Sequence, residues 1–230
     1  MQETRSTTAR IILLIVLAVL VFLNTASLAW AQVSATDHPE SEPSRDLSTK
    51  LGLDLKSLIS GPNLMILGVA GVATVFAREE TDEHQSALQR TLAGSPLDSF
   101  SDPGNLYGSG WFVGGVSVGT VAAGKLGDNE GLTRFGVDLG RSFIYSAVAT
   151  SVIKVAVNRT RPSGGPYSFP SGHATSAFST VPVVWHHAGW VAGLGAGTLA
   201  CMTALGRIED NRHYPSDVIF GAAVGLVFGR

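Results

Sequence analysis

The amino-acid sequence predicts an all-α protein built as a bundle of six helices. Six apolar segments follow residue 60, and each is longer than a typical strand and lacks the alternation of apolar and polar residues that strands show. Small residues are frequent in these segments, which lets neighbouring helices approach one another closely. The segments cover residues 61–77, 106–124, 138–157, 172–186, 188–206 and 216–229.

The composition is that of a folded, apolar protein. Hydrophobic residues make up 45% of the 230 residues and charged residues 15%, which is too apolar for a disordered chain and argues against a nucleic-acid-binding protein. The net charge of −2 provides no overall field that would attract polyanions. The single cysteine, Cys201, excludes an internal disulfide and a cysteine-based zinc site.

The residues before the apolar segments predict export from the cytoplasm. Residues 1–31 have the layout of a secretory signal peptide: basic residues, an unbroken apolar run at 11–23, and Ala29-Trp30-Ala31 as a cleavage pattern. An uncleaved membrane anchor is the alternative. Residues 32–60 are polar and predict a tether, which leaves 61–230 as the helical domain.

Charge is distributed unevenly along the rest of the chain. The stretch 78–105 is acidic and rich in turn residues, which predicts a solvated excursion, and its acidic cluster around His84 is more typical of a solvated surface than of a metal site. Residues 131–230, in contrast, hold eight basic and four acidic residues. Because cations in an apolar region need anionic partners, this surplus predicts a bound anion.

The first of three candidate clusters lies at the end of the third apolar segment. Lys154 and Arg161 are seven residues apart, which places them on the same helical face two turns apart. Pro162 disfavours helix at the preceding residue and marks the exit into a loop. The cluster therefore places two cations at a helix mouth, although a basic helix end that complements the helix dipole is a plainer alternative.

The second cluster is Pro170-Ser171-Gly172-His173, directly before the fourth apolar segment. Free backbone N–H groups at a helix start point toward a bound anion, Ser171 adds a hydroxyl donor, and Gly172 lets the anion approach the backbone. His173 is placed to donate a proton. The alternative is an ordinary helix N-cap formed by Ser171.

The third cluster joins the last two segments. Arg207 ends one apolar segment, His213 follows in a loop, and Pro215 is well placed to begin the next helix. Asp217, four residues after His213, has the spacing to accept a hydrogen bond from one ring nitrogen and to leave the other unprotonated and nucleophilic. Taken alone, a histidine and an aspartate at this spacing are weak evidence.

Together, the three clusters resemble the type 2 phosphatidic acid phosphatase superfamily, which shares its site with vanadium haloperoxidases and class A bacterial acid phosphatases. The resemblance covers residues 105–230 and is highly specific. One departure is that the family usually has serine before the arginine of the third motif, where this chain has Gly206. The resemblance implies a six-helix bundle of this family's type with the active site at one end, as three motifs at helix boundaries of an up-and-down bundle also suggest.

The resemblance also implies a role for each site residue. His213 attacks phosphorus and forms a phosphohistidine, Asp217 orients it, and His173 protonates the leaving group and then activates water. The phosphate-binding residues are Lys154, Arg161, Ser171, Gly172 and Arg207, and these cations replace the electrostatic work of a metal, so neither metal nor cofactor is expected. Arg159 and Arg212 receive no firm role and are expected behind the site or on the surface.

Three other functions were weighed against hydrolysis. A vanadate-dependent haloperoxidase would use the same pocket, but the chain is short for that family. A serine hydrolase built on Ser171 would lack the Gly-x-Ser-x-Gly elbow and would leave three cations unexplained. A non-catalytic membrane-associated scaffold is the third alternative, and it predicts that replacing His213 changes nothing measurable.

The sequence predicts a membrane-associated protein outside the cytoplasm, in the periplasm or cell envelope. The apolar bundle favours a phosphorylated lipid as substrate, although small phosphoesters stay open, and no nucleic-acid partner is expected. The third and sixth segments are marginal in length as membrane spans, so spanning helices and an exported bundle both remain alternatives. The oligomeric state is left open.

Overall fold

The computed structural model of the chain describes residues 60–80, 82, 84–93 and 101–230. The predicted signal peptide at 1–31 and all but the last residue of the predicted tether at 32–60 lie outside the described residues. Two compact units divide the chain, Met1–Val69 and Ala70–Arg230. The second unit contains all three candidate clusters.

The described residues form helices and no strand, which confirms the all-α prediction. Six apolar segments were predicted, and each corresponds to a helix or to one arm of a helix. Two further short helices, Gln85–Ala93 and Ser101–Tyr107, were not predicted. The helices are α1 Gly61–Glu80, α2 Gln85–Ala93, α3 Ser101–Tyr107, α4 Gly110–Leu126, α5 Glu130–Val157, α6 Gly172–Glu209 and α7 Pro215–Phe228.

Helix α6 folds back on itself at Gly189. A straight helix of its 38 residues would be about 57 Å long, but Gly189 has the non-helical dihedral angles φ 81° and ψ 176°. A Cβ atom placed on Gly193 would lie 2.9 Å from the Cβ of Trp185, and one on Gly197 would lie 4.0 Å from Val181. Residues before and after Gly189 therefore pair as two antiparallel arms, 172–188 and 190–209, which brings both ends of α6 to the same end of the unit.

The first arm of α6 is the central helix. Residues 174–183 are all buried, so this arm has no solvent-facing side along its first turns. Helix α7 approaches it so closely that a Cβ on Gly221 would lie 2.6 Å from the Ser171 carbonyl oxygen, and one on Gly225 would collide with the Thr175 carbonyl oxygen. Only glycine allows this approach, which places the start of α7 beside the start of α6.

The stretch 78–105 is not the solvated excursion that its composition predicts. Helix α2 buries Leu88 and Leu92 in a cluster with Ala174, Ile208 and Val218, residues of α6 and α7. Its first residue, Gln85, is also buried and donates a hydrogen bond from Nε2 to the Ile208 carbonyl oxygen at 3.2 Å. Although the stretch is rich in charged residues, it contains the amphipathic helix α2, whose apolar face packs beside the candidate site.

Helix α5 begins eight residues earlier than predicted, because Glu130 rather than residue 138 is its first residue. The side chain of Asn129 caps this start and accepts a hydrogen bond from the Leu132 backbone N–H at 2.9 Å. The helix ends where Asn158 adopts a left-handed conformation with φ 44°. The loop that carries Arg159 and Arg161 therefore starts directly after this residue.

The outward face of α5 is apolar, and its inward face carries hydroxyl groups. The outward face has an exposed apolar stripe that consists of Ile144, Val148, Val152 and Val155. On the inward face, Ser146 is completely buried, and Ser142 and Thr150 are almost completely buried. This arrangement is the reverse of the usual pattern in water and is typical of helices that face lipid. By length and composition alone, Gly61–Glu79 is long and apolar enough to cross a membrane. The same criterion selects Gly172–Glu209, but Gly189 divides those 38 residues into two shorter antiparallel arms. The exposed apolar stripe and the length of α1 favour a membrane-associated protein.

Candidate active site

The three predicted clusters meet at one end of the Ala70–Arg230 unit. The end of α5 and its following loop carry the first cluster, the start of α6 carries the second, and the end of α6 with the start of α7 carries the third. The hairpin in α6 brings the second and third clusters together although they are more than thirty residues apart in sequence. The backbone N–H of Ser171 donates directly to the Asp217 carbonyl oxygen at 2.9 Å, which ties the two helix starts to each other.

Lys154 and Arg161 both lie at this end, and both donate to backbone carbonyl groups rather than to carboxylates. Lys154 Nζ donates to the Tyr167 carbonyl oxygen at 2.7 Å, and Arg161 Nε donates to the Pro166 carbonyl oxygen at 3.1 Å. Within the part of the chain that the structure describes, neither side chain forms a salt bridge. The two cations are therefore available to an anion.

The start of α6 provides the second side of the site. Ser171 is completely buried and caps the helix, accepting a hydrogen bond from the Ala174 backbone N–H at 3.4 Å. At Gly172, the Cε atom of Lys154 lies 3.7 Å from the position that a Cβ atom would occupy, so the lysine side chain extends across the glycine. The first turn of α6 and the end of α5 thus line the same space.

Arg207 is held by polar neighbours on only one side. Its Nη1 donates to Asn105 Oδ1 at 3.1 Å and to Asp210 Oδ2 at 2.9 Å, which ties the end of α6 to α3. Its Nε is buried and has no hydrogen-bond partner among the described residues. A buried donor without a partner is costly, so this atom is a natural place for an anion to bind.

His213 and Asp217 lie side by side, but no hydrogen bond joins them. His213 is 3% exposed, and its Nδ1 is 3.7 Å from Asp217 Oδ2, which is longer than a hydrogen bond. Asp217 is completely buried, and its Oδ2 accepts from Ser168 Oγ and from the Tyr214 backbone N–H at 2.9 Å. The predicted pairing of His213 with Asp217 is therefore a close contact, which joins opposite charges when His213 is protonated. The hydrogen bonds that the Asp217 carboxylate accepts come from other groups.

Arg159 is a residue of the candidate site that the sequence left without a role. Its Nη1 donates to Asp217 Oδ1 at 2.8 Å, and its Nη2 donates to Asp82 Oδ2 at 2.7 Å. The guanidinium carbon also lies 4.0 Å from the centroid of the Tyr214 ring, which is a cation–π contact. The signal for this role was the presence of three basic residues in the first cluster when the chemistry needed two. Arg212, by contrast, is exposed.

The electrostatic environment keeps both histidines of the site neutral in the unliganded protein. Burial, followed by the charge of Arg207 and the neighbouring His213, lowers the pKa of His173 to about 4. Burial also lowers the pKa of His213, and the charges of Lys154 and Arg207 act in the same direction against the contact with Asp217. A bound anion opposes these effects, because it favours the protonated imidazole.

The pKa of Asp217 is lowered and that of Arg159 is raised, and these two charged groups lie behind His213. Burial alone would raise the pKa of Asp217, but the neighbouring His213, the hydrogen bond from Ser168 and the charge of Arg159 hold it below its usual value. Burial alone would lower the pKa of Arg159, but its hydrogen bonds and ion pairs with Asp82 and Asp217 raise it. Both groups are therefore charged at neutral pH.

Among the described residues, no group of three or more histidine, cysteine, aspartate or glutamate side chains is arranged to hold a metal ion. Cys201, the single cysteine of the sequence, is a half-buried free thiol in the second arm of α6.

Comparison with known proteins places this arrangement in a family. The model of the PAP2 superfamily matches residues 135–230, which include all three clusters. The chain is 32% identical over 153 residues to the decaprenylphosphoryl-5-phosphoribose phosphatase of Mycolicibacterium smegmatis, covering 59% of this chain and 77% of that protein. The chain belongs to the PAP2 superfamily.

A second curated relative matches over a shorter region. The lipid A 1-phosphatase of Porphyromonas gingivalis is 40% identical over 82 residues, which is 34% of this chain. This chain spans only 18% of the length of that relative, so the similarity concerns a fraction of the larger protein.

Two solved structures share the fold. A transmembrane PAP2-type phosphatidylglycerolphosphate phosphatase from Bacillus subtilis superposes with a TM-score of 0.60 at 19% identity, covering 72% of this chain and 91% of that chain. LpxE from Aquifex aeolicus superposes with a TM-score of 0.52 at 23% identity, covering 64% of this chain and 90% of that chain. The helical architecture that the sequence predicts is therefore that of PAP2-type proteins.

Proposed function

We propose that this protein is a phosphatase that hydrolyses phosphate monoesters or diphosphates of lipids through a phosphohistidine on His213. The observation that carries the proposal is the convergence of three cations on two buried or half-buried histidines. Lys154, Arg161 and Arg207 come from separate segments and have donor capacity left for an anion. A tetrahedral phosphate group matches such a cradle in charge and in the number of oxygens that need donors.

The cations act on the transition state of phosphoryl transfer. Negative charge is spread over the three equatorial oxygens while the leaving oxygen departs, and fixed cations in a site of low dielectric constant stabilise that charge. Ser171, Gly172 and the free N–H groups of the first turn of α6 complete the phosphate cradle. Because the folded protein already holds these donors in place, the free energy needed to arrange them does not add to the activation barrier.

His213 supplies the nucleophile. Its pKa is lowered, so the imidazole is neutral at physiological pH and has a free electron pair for attack on phosphorus. When the nitrogen–phosphorus bond forms, the ring becomes positively charged, and Asp217 stabilises that charge from behind. Closing the present 3.7 Å separation to hydrogen-bond distance is part of this step, because the charged ring attracts the carboxylate more strongly than the neutral ring does.

His173 donates the proton that the leaving group needs. Burial, together with the positive charge of Arg207, lowers the pKa of His173 to about 4 and keeps the ring neutral. A phosphate dianion between the cations and the histidines reverses that field and raises the pKa, so binding prepares His173 to protonate the departing alkoxide. The same neutralised imidazole then activates the water that hydrolyses the phosphohistidine.

The apolar surface near the site points to a lipid substrate. The exposed stripe of α5 that ends at Val155 leads directly to Lys154, so an acyl or prenyl chain lying against the stripe would present its headgroup to the cations. The two curated relatives act, by their names, on lipid A and on a decaprenyl-linked phosphate. The predicted signal peptide supports a reaction outside the cytoplasm, at the membrane surface in the periplasm or cell envelope.

A substrate panel tests this function. Purified protein in detergent would be assayed for phosphate release from phosphatidate, phosphatidylglycerol phosphate, undecaprenyl diphosphate, lipid A phosphates and a soluble ester. We expect at least one lipid to be hydrolysed more efficiently than the soluble ester, with activity abolished by His213→Ala and retained by His187→Ala, a histidine of α6 that pairs with Asp138. Phosphate release unaffected by His213→Ala would contradict the proposal, as would halide-dependent peroxide consumption in vanadate without any hydrolysis.

A further inference from the structure

Arg159 and Asp82 form a buried ion pair behind the site that neither the motifs nor the proposed chemistry requires. The side chain of Arg159 is 21% exposed and that of Asp82 is 7% exposed, and they meet at 2.7 Å although the residues are 77 positions apart. The second amino group of Arg159 reaches Asp217, whose side chain is completely buried. One guanidinium therefore bridges two carboxylates.

Asp82 also contacts the first turn of α7, the helix that carries Asp217. Ser216 Oγ donates to Asp82 Oδ2 at 2.7 Å, and the same hydroxyl oxygen accepts from Arg159 Nη1 at 2.7 Å. Asp82 lies between α1 and α2, outside the three motifs. It reaches the site because α2 packs against α6 and α7 through Leu88 and Leu92.

The charge balance of this network bears directly on the nucleophile. If Arg159 were paired with Asp217 alone, the pair would be neutral overall, and the carboxylate would have little charge left to support a protonated His213. Asp82 supplies a second carboxylate to the same guanidinium, so that the three groups together carry one negative charge. Asp217 thereby keeps its position through Arg159 without losing its charge to it.

We propose that Asp82 and Arg159 are positioning residues for Asp217, and that Asp82 maintains the negative charge that His213 needs when it carries the phosphoryl group. This proposal rests on the proposed function of His213. Neither residue touches the substrate: Arg159 fixes Oδ1 of Asp217 and leaves Oδ2 facing the imidazole, and Asp82 shares the guanidinium. Tyr214 supports the planar orientation of Arg159 from the ring face.

The other charged groups around His213 all act in one direction. Lys154 of α5 and Arg207 of α6 disfavour the protonated ring, and the neighbouring His173 does so whenever it is protonated. Asp217 of α7 is the carboxylate that opposes them. Loss of negative charge near Asp217 therefore lowers the pKa of His213, because among the described residues Asp217 is the group whose contact raises it.

The first test compares Asp82→Asn with Asp138→Asn, which removes the carboxylate from a different long-range contact, the hydrogen bond between Asp138 and His187 at 2.8 Å. We expect Asp82→Asn to reduce kcat at least tenfold with KM changed less than threefold, because positioning behind the nucleophile acts on the transition state rather than on binding. Asp138→Asn should retain wild-type kcat and KM. Equal kinetics for the two variants would overturn the proposal.

A second variant tests whether the forked shape of the guanidinium group matters in addition to its positive charge. Arg159→Lys retains the positive charge, but an ammonium group cannot hold two carboxylates in the forked geometry of a guanidinium. We expect kcat to fall at least tenfold despite the preserved charge. Wild-type kcat in Arg159→Lys would show that the bridging geometry has no function.

A titration that does not depend on turnover separates this proposal from the proposed function. In NMR spectra of the full chain in detergent, His213 is assigned by the signal lost in His213→Ala, and its pKa is compared between wild type and Asp82→Asn. We expect the pKa to drop by roughly half a unit or more, because one neighbouring negative charge is removed. An unchanged or raised pKa would refute the role of Asp82 even if lipid hydrolysis is confirmed. A lowered pKa in a protein that hydrolyses no phosphoester would refute the proposed function alone.

Discussion

The close approach of α6 and α7 makes Gly221→Ala a sensitive test of how packing positions the site. A Cβ atom at this residue would lie 2.6 Å from the Ser171 carbonyl oxygen and 3.2 Å from Thr175 Oγ1. An ordinary contact needs a separation of about 3.4 Å, so the two helix starts must move apart by roughly 0.8 Å. The backbone oxygen cannot turn aside as a flexible side chain would.

That displacement affects both folding and catalysis. Overpacking of this kind costs about 1–3 kcal/mol of stability, and a misplacement near 1 Å reduces rate by about 10²-fold when reacting groups must be aligned. Because Ser171 caps α6 and its N–H group bonds to the Asp217 carbonyl, the second and third clusters separate together. We expect Gly221→Ala to lower the thermal midpoint by several degrees and kcat by about 10- to 100-fold.

Gly195→Ala is the matched control. This glycine is exposed on the second arm of α6, and nothing lies within 4 Å of the position of its Cβ. Alanine is favoured over glycine in a helix by up to about 1 kcal/mol, so the control should be as stable as wild type or more so, with unchanged activity. The two variants would be compared by thermal unfolding in detergent and by phosphate release from a short-chain phosphatidate. Indistinguishable behaviour of the two variants would refute the packing argument.

Three further predictions concern the chemistry. Asp217→Asn should reduce kcat by about 10²–10⁴, and in combination with His213→Ala the losses should not add; fully additive losses above background would show that the two residues act independently. Excess EDTA should leave phosphate release nearly unchanged while vanadate inhibits it, and activity lost to EDTA and restored by magnesium would overturn the assignment of charge stabilisation to the cations. His173 should protonate near pH 4 in the free protein, and vanadate should raise its pKa by at least about one unit, since an anion favours the protonated ring; an NMR titration without such a shift would place the anion elsewhere.

The helical architecture and the meeting of the three clusters were predictable because both depend on local patterns. Apolar segments of helical length predict α4, α5 and α7, and the predicted division between the fourth and fifth segments, 172–186 and 188–206, lies close to the reversal at Gly189. Motifs at alternating helix ends then meet at one end of a bundle by connectivity alone. None of this requires knowledge of which side chains touch.

The network behind His213 was not predictable, since it depends on contacts between distant residues. The pairing of Asp82 with Arg159 joins residues 77 positions apart, and Asp82 lies in a stretch whose composition suggested a solvated surface. The spacing of His213 and Asp217 correctly indicated neighbours. It did not reveal that Ser168, Arg159 and a backbone N–H compete for the carboxylate and leave the imidazole at 3.7 Å.

The most direct measurement of the central claim is the capture of a phosphorylated enzyme in the His173→Ala variant. With p-nitrophenyl phosphate, the leaving group departs without a proton, so His213 is phosphorylated at a high rate, whereas hydrolysis is slow because the water lacks its base. We predict a burst of about one nitrophenolate per protein and phosphate bonded to the peptide that contains His213. A burst with phosphate on another residue, or turnover without any burst or bound phosphate, would contradict the account.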